Sequence, residues 1–476
     1  MIVSVERSCD GKAKRPVLGG VSTRLLLALS MVAASGGLVP VSAETISGAL
    51  SRAYVNSPDL NQQRAATRAI DENVPKATSG YRPTITGQAQ AGVQYLGTNA
   101  SGRAINSHTT PGSFGLSVTQ NIWNGNRTIN GVRQADSQVL QSREQLRQSE
   151  QLLLANSAAA YMNVLRDTAI LNLNNNNVEV LAEQLRLTQD RFKVGEVTRT
   201  DVAQAEASLA QGRANAVVSQ ATLQTSLAAY RQFIGIDAKS LDPARPLERM
   251  VPRSLNDALN RSQAEHPLIQ AALHNVDAAA LAVKINEGAL MPTVGVTGTL
   301  SRAYEQQGIV GMHATTASVI GSLSMPLYDG GLSYASIRQS KELLGQARLQ
   351  ADLQRDQIRA NVISAWGQWD ASARVIQSTQ AAVRAAEIAL NGVREEAKVG
   401  QRTTVEVLNQ QQALLQSRVN LISAQRDRVV NSYALVSAVG QLTATTLGLR
   451  VNAYNPGIHY EQVKGKWFGT GIPDGR

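Results

Sequence analysis

Two pairs of segments along the chain alternate between apolar and small polar residues with a period of two. The apolar positions include Ile85, Val93, Phe114, Leu116, Val118 and Ile122 in the first pair and Val294, Val296, Leu300, Val319 and Leu323 in the second. Strands of about ten residues with this alternation are typical of a transmembrane β-barrel with a watery interior. An ordinary antiparallel sheet with one solvated face shows the same pattern, so the rest of the chain must decide between them.

Long helical hairpins are predicted after each pair of strands. No proline occurs within residues 112–242 or 327–455, and a proline inside a helix costs about 3 kcal/mol. Val-Gly interrupts each stretch at the matching place, 194–195 and 399–400, where glycine can end a helix. The first arm, residues 125–194, would be about 100 Å long at 1.5 Å per residue. An arm of this length does not fit a compact domain and therefore favours the barrel.

The return arm of the second hairpin has the pattern of a coiled-coil seam. Its apolar residues repeat at seven-residue spacing, at Leu408, Leu415, Ile422, Val429 and Val436. Elsewhere the arms carry polar residues all round, including four asparagines at 174–177. These asparagines are expected to face water, as in a helical wall that is wet on both sides.

The chain contains an internal duplication. Residues 49–96 match 258–305 at an offset of 209, and residues 118–235 match 323–440 at an offset of 205. The change of offset must lie between residues 96 and 118, which indicates a loop there. The loops between the strands are predicted at 97–111 in the first repeat and at 306–314 in the second. The predicted division is a signal peptide at 1–43, repeats at 44–235 and 258–440, a linker at 236–257 and a tail at 441–476.

The N-terminus has the order of a secretory signal peptide. Basic residues precede the apolar run 25–29, and Val-Ser-Ala at 41–43 predicts cleavage before Glu44. A retained membrane anchor is the weaker alternative because the apolar run is short and interrupted. Cys9, the one cysteine, lies in the predicted signal peptide. The mature chain is therefore expected to be exported without disulfides or a lipidated cysteine.

Composition and motifs argue against catalysis and nucleic-acid binding. The net charge of +10 falls to about +7 on cleavage, and the basic residues are spread singly rather than clustered with aromatics. The five histidines lack metal-ligand spacing, and His266 and His274 are interpreted as residues of a solvent-exposed helix. No phosphate-binding loop, nucleophile elbow or catalytic carboxylate pair is present. We expect no enzyme activity, no cofactor, no metal and no nucleic-acid partner.

Four strands cannot close a barrel, and lipid tolerates no open sheet edge. The chain must therefore oligomerise. Two chains would give eight strands and a filled interior, whereas three chains would give twelve strands and a channel.

The sequence resembles the TolC family of outer-membrane channel proteins over nearly the whole mature chain. The resemblance is carried by the tandem repeat, by the junctions at 121–125 and 326–331, and most specifically by the tips at 191–202 and 399–408. It implies an α+β membrane protein that forms a homotrimer. Four strands per chain would make a 12-stranded transmembrane β-barrel in the outer membrane, continued through the periplasm by a long α-helical coiled-coil barrel. The linker and tail would form a mixed equatorial domain.

Both tips show the spacing of a helix capping box, at Thr198 with Asp201 and at Thr403 with Glu406. Arg402 follows a helix-ending glycine and is expected to have no local role within its own helix. By resemblance, Thr200, Asp201 and Arg402 form the links that hold the periplasmic gate closed.

The resemblance also implies a selectivity ring. Glu406 is the ring residue at the constriction, and Asn409 occupies a second ring position that is acidic in the family. Ala397 replaces a family tyrosine, so both the ring charge and the closing network are expected to be weaker here. The tips are expected to contact a periplasmic adaptor at Val194, Gly195, Val399 and Gly400.

The function implied is an exit duct for drugs, toxic compounds or proteins from a Gram-negative cell. It would work with a periplasmic adaptor and an inner-membrane transporter of the resistance–nodulation–division (RND) or ATP-binding-cassette (ABC) type, as in efflux or type I secretion. The alternative is a trimeric surface stalk or adhesin, which would need a passenger beyond the barrel. The sequence does not distinguish drug cargo from protein cargo.

Overall fold

The computed structural model describes residues 43–100, 103–306 and 309–473. The helices are α1 (Ile46–Asn56), α2 (Pro58–Asp71), α3 (Asn73–Thr78), α4 (Arg127–Lys193), α5 (Arg199–Ile234), α6 (Leu255–Glu265), α7 (Pro267–Glu287), α8 (Leu332–Lys398), α9 (Thr404–Val439) and α10 (Pro456–Val463). The strands are β1 (Thr84–Ala91), β2 (Gln94–Ala100), β3 (Arg103–Thr109), β4 (Gly112–Trp123), β5 (Thr293–Tyr304) and β6 (His313–Ser324). Each half of the chain runs from short helices through strands into a long helical hairpin.

A four-stranded antiparallel sheet has the order β1-β4-β5-β6. Its register places Leu116 between Gly87 and Leu300, and Ala317 lies beyond Leu300. One face is apolar and open, with Val319 78% exposed. On the other face, hydroxyl pairs cross the sheet at 2.7–3.4 Å, namely Thr86 with Ser117, Thr119 with Thr297, and Thr299 with Ser318. The alternation therefore produces one apolar and one polar face. Strands β1 and β6 are the edges of the sheet.

The loop predicted at 97–111 is wrong. Most of it forms the β2–β3 hairpin, a separate two-stranded sheet with Gln94 opposite Thr109. The rings of Tyr95 and His108 lie 4.8 Å apart across it. Its small polar residues have the composition of a loop, and cross-strand pairing rather than periodicity makes them strands. In the second repeat, β6 begins at His313, inside the loop predicted at 306–314.

The two long hairpins have the same dimensions. Helices α4 and α8 each contain 67 residues, and α5 and α9 each contain 36. At 1.5 Å per residue the longer arms extend about 100 Å. The seam on α9 is buried at Leu408, Leu415, Val429 and Val436, as the seven-residue spacing predicted.

The asparagine run in α4 does not face water throughout. Asn174 and Asn177 are 8% and 6% exposed. The Nδ2 of Asn174 donates to Ser219 Oγ at 2.6 Å, and Gln411 Nε2 donates to Asn177 Oδ1 at 3.3 Å. The expectation of four solvated asparagines is wrong for these two because their amides pair with α5 and α9.

The largest apolar core lies near the middle of the long arms, where α1, α4, α5 and α9 meet. Fully buried side chains there include Leu50, Leu154, Tyr161, Tyr230 and Ile234. Residues of the 236–251 segment and Leu442 from the tail pack against the same core. A second core around Val362, Trp369 and Leu435 joins α6, α7, α8 and α9.

One helical stretch among the described residues, Leu255–Leu290, is long and apolar enough to cross a membrane by length and composition. It is divided at His266 into α6 and α7. Because α7 packs along both α4 and α8, we place it in the helical layer.

Candidate functional site

The first hairpin tip is a tight turn between α4 and α5. Gly195 adopts φ of 79°, in the left-handed region that favours glycine. The N–H of Gly195 donates to the carbonyl of Phe192 at 3.0 Å, and the N–H of Glu196 donates to the carbonyl of Arg191 at 2.9 Å. Because these bonds end α4, the chain can reverse within five residues.

Thr198 and Asp201 form the predicted capping box at the start of α5. The N–H of Asp201 donates to Thr198 Oγ1 at 3.2 Å, and the N–H and Oγ1 of Thr198 donate to Asp201 Oδ2 at 2.9 and 2.7 Å. The hydroxyl bond, followed by the amide bond, holds the pKa of the Asp201 carboxyl below its usual value. Asp201 is therefore ionised, and its Oδ2 atom caps its own helix.

The second tip has the same backbone turn but only half of the cap. Gly400 has φ of 78°, and the N–H of Glu406 donates to Thr403 Oγ1 at 3.3 Å. Within the described residues, the Glu406 carboxylate does not return to the Thr403 amide, so the predicted box is incomplete. Instead, Glu406 Oε2 lies 3.6 Å from Nη1 of Arg402.

The expectation that Arg402 has no local role is wrong. Its Nε donates to Glu396 Oε2 at 2.8 Å across the turn. That bond, followed by the charges of Glu396 and Glu406, raises the pKa of the Arg402 guanidinium. An acidic residue six positions before an arginine, across a helix-ending glycine, was the available sequence signal.

The first tip has an equivalent ion pair with reversed charges. There, Arg191 Nε donates to Glu196 Oε2 at 3.0 Å. Arg191 occupies the position equivalent to Glu396, and Val197 the position equivalent to Arg402. Each turn is thus crossed by an arginine–glutamate pair, with the arginine before the glycine in the first tip and after it in the second.

The predicted gate residues lie at the tips but do not bond to one another in the described residues of one chain. Arg402 contacts Glu396 and Glu406, whereas Asp201 contacts Thr198. Thr200 and Asn409 are exposed. Val194 and Val399, at the two turns, are about 70% exposed.

A groove of about 870 Å³ separates the two tips on one side of the chain. Its lining includes Glu183, Leu187 and Arg191 from α4, and Arg394, Lys398 and Val407 from the second hairpin. Below it, Leu408 packs on Leu181, Ala205 and Leu209. Apolar contacts therefore join the hairpins, while the groove presents charges of both signs.

The candidate histidines serve structural roles. His266 is 2% exposed, and its Nδ1 accepts from the Leu268 N–H at 3.2 Å at the start of α7. The prediction of a solvent-exposed residue is therefore wrong for His266. Burial lowers the pKa of His266 to about 4. His459 Nδ1 lies 2.9 Å from Asp71 Oδ2 in another buried contact. Among the described residues, no group of three or more His, Cys, Asp or Glu side chains is placed to hold a metal.

The family model described as "Outer membrane efflux protein" matches residues 49–236 and 258–441. The chain belongs to this family. Its four-stranded sheet with two edges is one third of the twelve-stranded barrel of a trimeric outer-membrane channel. The long hairpins continue that barrel as a helical tunnel.

Individual relatives of this efflux protein agree with the assignment. The chain is 42% identical to the outer membrane efflux protein BepC of Brucella suis biovar 1 (strain 1330) over 433 residues, 91% of this chain and 93% of BepC. It is 26% identical to the outer membrane protein TolC of Escherichia coli (strain K12), with 85% and 84% of the two chains covered. The crystal structure of the Campylobacter jejuni CmeC outer membrane channel superposes with a TM-score of 0.75 at 15% identity, covering 88% of this chain and 89% of CmeC.

Membership confirms the predicted resemblance, fold class, outer-membrane location and export function of this efflux protein. Nothing in these comparisons favours the stalk or adhesin alternative. The family transports substances rather than transforming them, which agrees with a protein that is not an enzyme.

Proposed function

We propose that this outer membrane efflux protein is a gated exit duct whose periplasmic end is closed by Arg402 of one tip and by Thr200 and Asp201 of the matching tip of a neighbouring protomer. The arrangement of Asp201 supports this proposal. Both bonds from Thr198 end on Oδ2, and within the described residues Oδ1 has no hydrogen-bond partner. Oδ1 can therefore accept an external donor without loss of the cap.

Arg402 is suited to be that donor because it is 49% exposed and its local partner Glu396 is 44% exposed. Ion pairs in water contribute little to stability, so exchange of one partner for another costs little. A planar guanidinium can also bond to more than one acceptor at a time. Three symmetry-related links would hold the tips together while staying weak enough for an adaptor to open.

The gate is tested by single-channel conductance in planar bilayers. Arg402→Ser should raise conductance and sensitise cells to large antibiotics, and Asp201→Ala should do the same. The double variant should match the single variants, because both changes remove one interaction. Arg191→Ser is the matched control, because it removes the ion pair across the first turn without changing a proposed gate residue, and it should conduct like the parent. Parental conductance in both gate variants, or additive effects, would overturn the gate.

Glu406 is proposed as the selectivity ring of this duct. Three copies around one axis would concentrate negative potential at a narrow opening and attract cations. Glu406→Ala should lower the cation preference and the block by multivalent cations. Asn409→Asp, which adds a second acidic ring, should raise both. Unchanged selectivity in both variants would exclude this ring.

We propose that a periplasmic adaptor docks at the tips and in the groove between them, and that an RND- or ABC-type inner-membrane transporter supplies the energy. The mixed charges and the apolar floor of the groove suit a helical partner. We infer that the channel has no catalytic role and needs no cofactor or nucleic acid. Because BepC is named an efflux protein, drugs and other toxic compounds are the cargo we test first. Deletion of the gene should lower resistance to them, and tip cross-linking should capture the adaptor.

A further inference from the structure

The C-terminal segment 464–473 folds into a closed loop after α10. The N–H of Lys466 donates to the carbonyl of Val463 at 2.9 Å, and its Nζ donates to the carbonyl of Gly471 at 2.5 Å. Gly469 has φ of 97°, which lets the chain reverse between these contacts. The loop therefore has a defined shape that presents Trp467 and Phe468 side by side, with ring centroids 6.2 Å apart.

This tail loop lies at the end of the barrel sheet. Arg82 stands two residues before β1, and its Nη1 donates to the carbonyl of Lys466 at 2.8 Å. The same guanidinium lies 4.6 Å from the centroid of the Trp467 ring. The short helix Ser79–Tyr81 leads from α3 into β1, so this is the end of the sheet nearest the helical tunnel, which is the periplasmic end.

Buried contacts hold α10 and thereby fix the position of the tail loop. His459 and Asp71 are 3% and 1% exposed in their side chains and lie 2.9 Å apart. Tyr460 Oη donates to Asp136 Oδ1 at 3.0 Å, and the Arg143 guanidinium lies 5.1 Å from the centroid of the Tyr460 ring. These contacts join α10 to α2 and α4.

The tail loop exposes its largest apolar side chains. Trp467, Phe468 and Ile472 are 58%, 84% and 78% exposed. Segment 464–473 contains two lysines and no acidic residue. Other aromatic side chains at this end of the sheet are also exposed, namely Tyr81, Trp123 and Tyr328. Transmembrane barrels carry aromatic girdles at both membrane interfaces, where amphipathic rings sit at the level of the lipid headgroups.

We propose that the tail loop is a membrane anchor, in which Trp467, Phe468 and Ile472 insert into the inner leaflet of the outer membrane at its headgroup boundary. The partner is phospholipid, because the loop continues the aromatic girdle of a sheet whose apolar face already meets lipid. The charge of Lys464 is paired with Glu461, and Lys466 Nζ closes the loop on the Gly471 carbonyl, so the exposed apolar side chains carry the proposed insertion. The proposed anchor is independent of the gate.

Depth measurements on a spin label test the anchor. Because Cys9 lies in the predicted signal peptide, Phe468→Cys gives the mature chain a single labelling site. The trimers are reconstituted into vesicles of phosphatidylethanolamine and phosphatidylglycerol, and the label's collision rates with oxygen and with an aqueous nickel complex are measured. The ratio of the oxygen rate to the nickel rate should be severalfold higher at position 468 than for a label at Val217→Cys on α5. A label at Val319→Cys, on the lipid face of β6, sets the buried limit.

Two outcomes would overturn the proposal. A label at position 468 that meets the nickel complex as often as the label at 217 would place the tail in water. A label shielded from both reagents would place it against a neighbouring protomer. A second measurement leaves Phe468 intact: phospholipids brominated near the headgroup should quench the tryptophan emission of the parent more than that of Trp467→Phe, and equal quenching would contradict the anchor.

Discussion

The two hairpin tips have the same backbone conformation, but the order of the basic and acidic residues in their ion pairs is reversed. Gly195 and Gly400 have φ values of 79° and 78°, and a threonine caps the return helix in each. Across the first turn Arg191 bonds to Glu196, whereas across the second Glu396 is bonded by Arg402. Turn geometry therefore depends on the glycine and the threonine. The charges of the ion pair across the turn are reversed between the tips, and Val197 of the first tip occupies the position of Arg402 in the second.

The two junctions between strand and helix also share a backbone conformation but differ in their surroundings. Gly125 and Gly330 are equivalent and have φ of 66° and 69°. A Cβ at Gly125 would lie 2.3 Å from the carbonyl oxygen of Gly288, but a Cβ at Gly330 would have no atom of the described chain within 4 Å. The two glycines share a backbone requirement and differ in packing.

The largest expected effect separates these two glycines. Gly125→Ala should cost more than about 4 kcal/mol and abolish the trimer, because backbone must move to admit the new carbon. Gly330→Ala should cost about 1 to 2 kcal/mol, the strain of a left-handed alanine. The resistance of the trimer to heating on gels measures both. Equal losses would mean that a neighbouring protomer crowds Gly330 as Gly288 crowds Gly125.

A pH-dependent effect should separate the second repeat from the first. His266 starts α7, and the equivalent Ser57 starts α2. Because burial and, to a smaller extent, Arg147 lower the pKa of His266 from 6.5 to about 4, its contribution is complete above pH 6.5 and is lost as the pH falls through 4. At pH 4 the loss should be about 3 kcal/mol.

His266→Ser is the matched variant, since serine performs the same capping in the first repeat. Trimer stability at pH 7 and at pH 4 should differ by less in this variant than in the parent. An identical pH dependence in both proteins would show that His266 is not the titrating group.

The smallest expected effect distinguishes Asp201 from Glu406, the acidic residues at equivalent positions of the two tips. Asp201→Ala removes a carboxylate that accepts from Thr198 and should weaken the first turn of α5 by about 1 kcal/mol. Hydrogen exchange of that turn should accelerate about fivefold. Glu406→Ala should leave exchange in the first turn of α9 unchanged, because Glu406 accepts no bond from Thr403 among the described contacts. Equal acceleration of exchange at both tips would show that Glu406 stabilises the first turn of α9 as much as Asp201 stabilises that of α5.

Local rules explain why much of this protein could be predicted from sequence. Period-two alternation determines which side chains share a sheet face, so the lipid and water faces of β4 and β5 follow without tertiary information. A glycine that ends a helix, followed by a capping threonine, defines each tip within a few residues. Because the chain is duplicated, the alternating strands and the glycine–threonine tip occur in both repeats.

What the sequence by itself determined is therefore the two long helical hairpins, the strands of the four-stranded sheet with their faces, and the repeat that joins them. Only the tertiary structure decided which buried polar groups are satisfied by which partners: Asn174 by Ser219, and His459 by Asp71. It also decided that β2 and β3 pair with each other and that the tail reaches the sheet. The physical reason is distance along the chain. Periodicity and capping act between residues a few positions apart, whereas burial and pairing depend on neighbours that folding brings together from tens or hundreds of positions away.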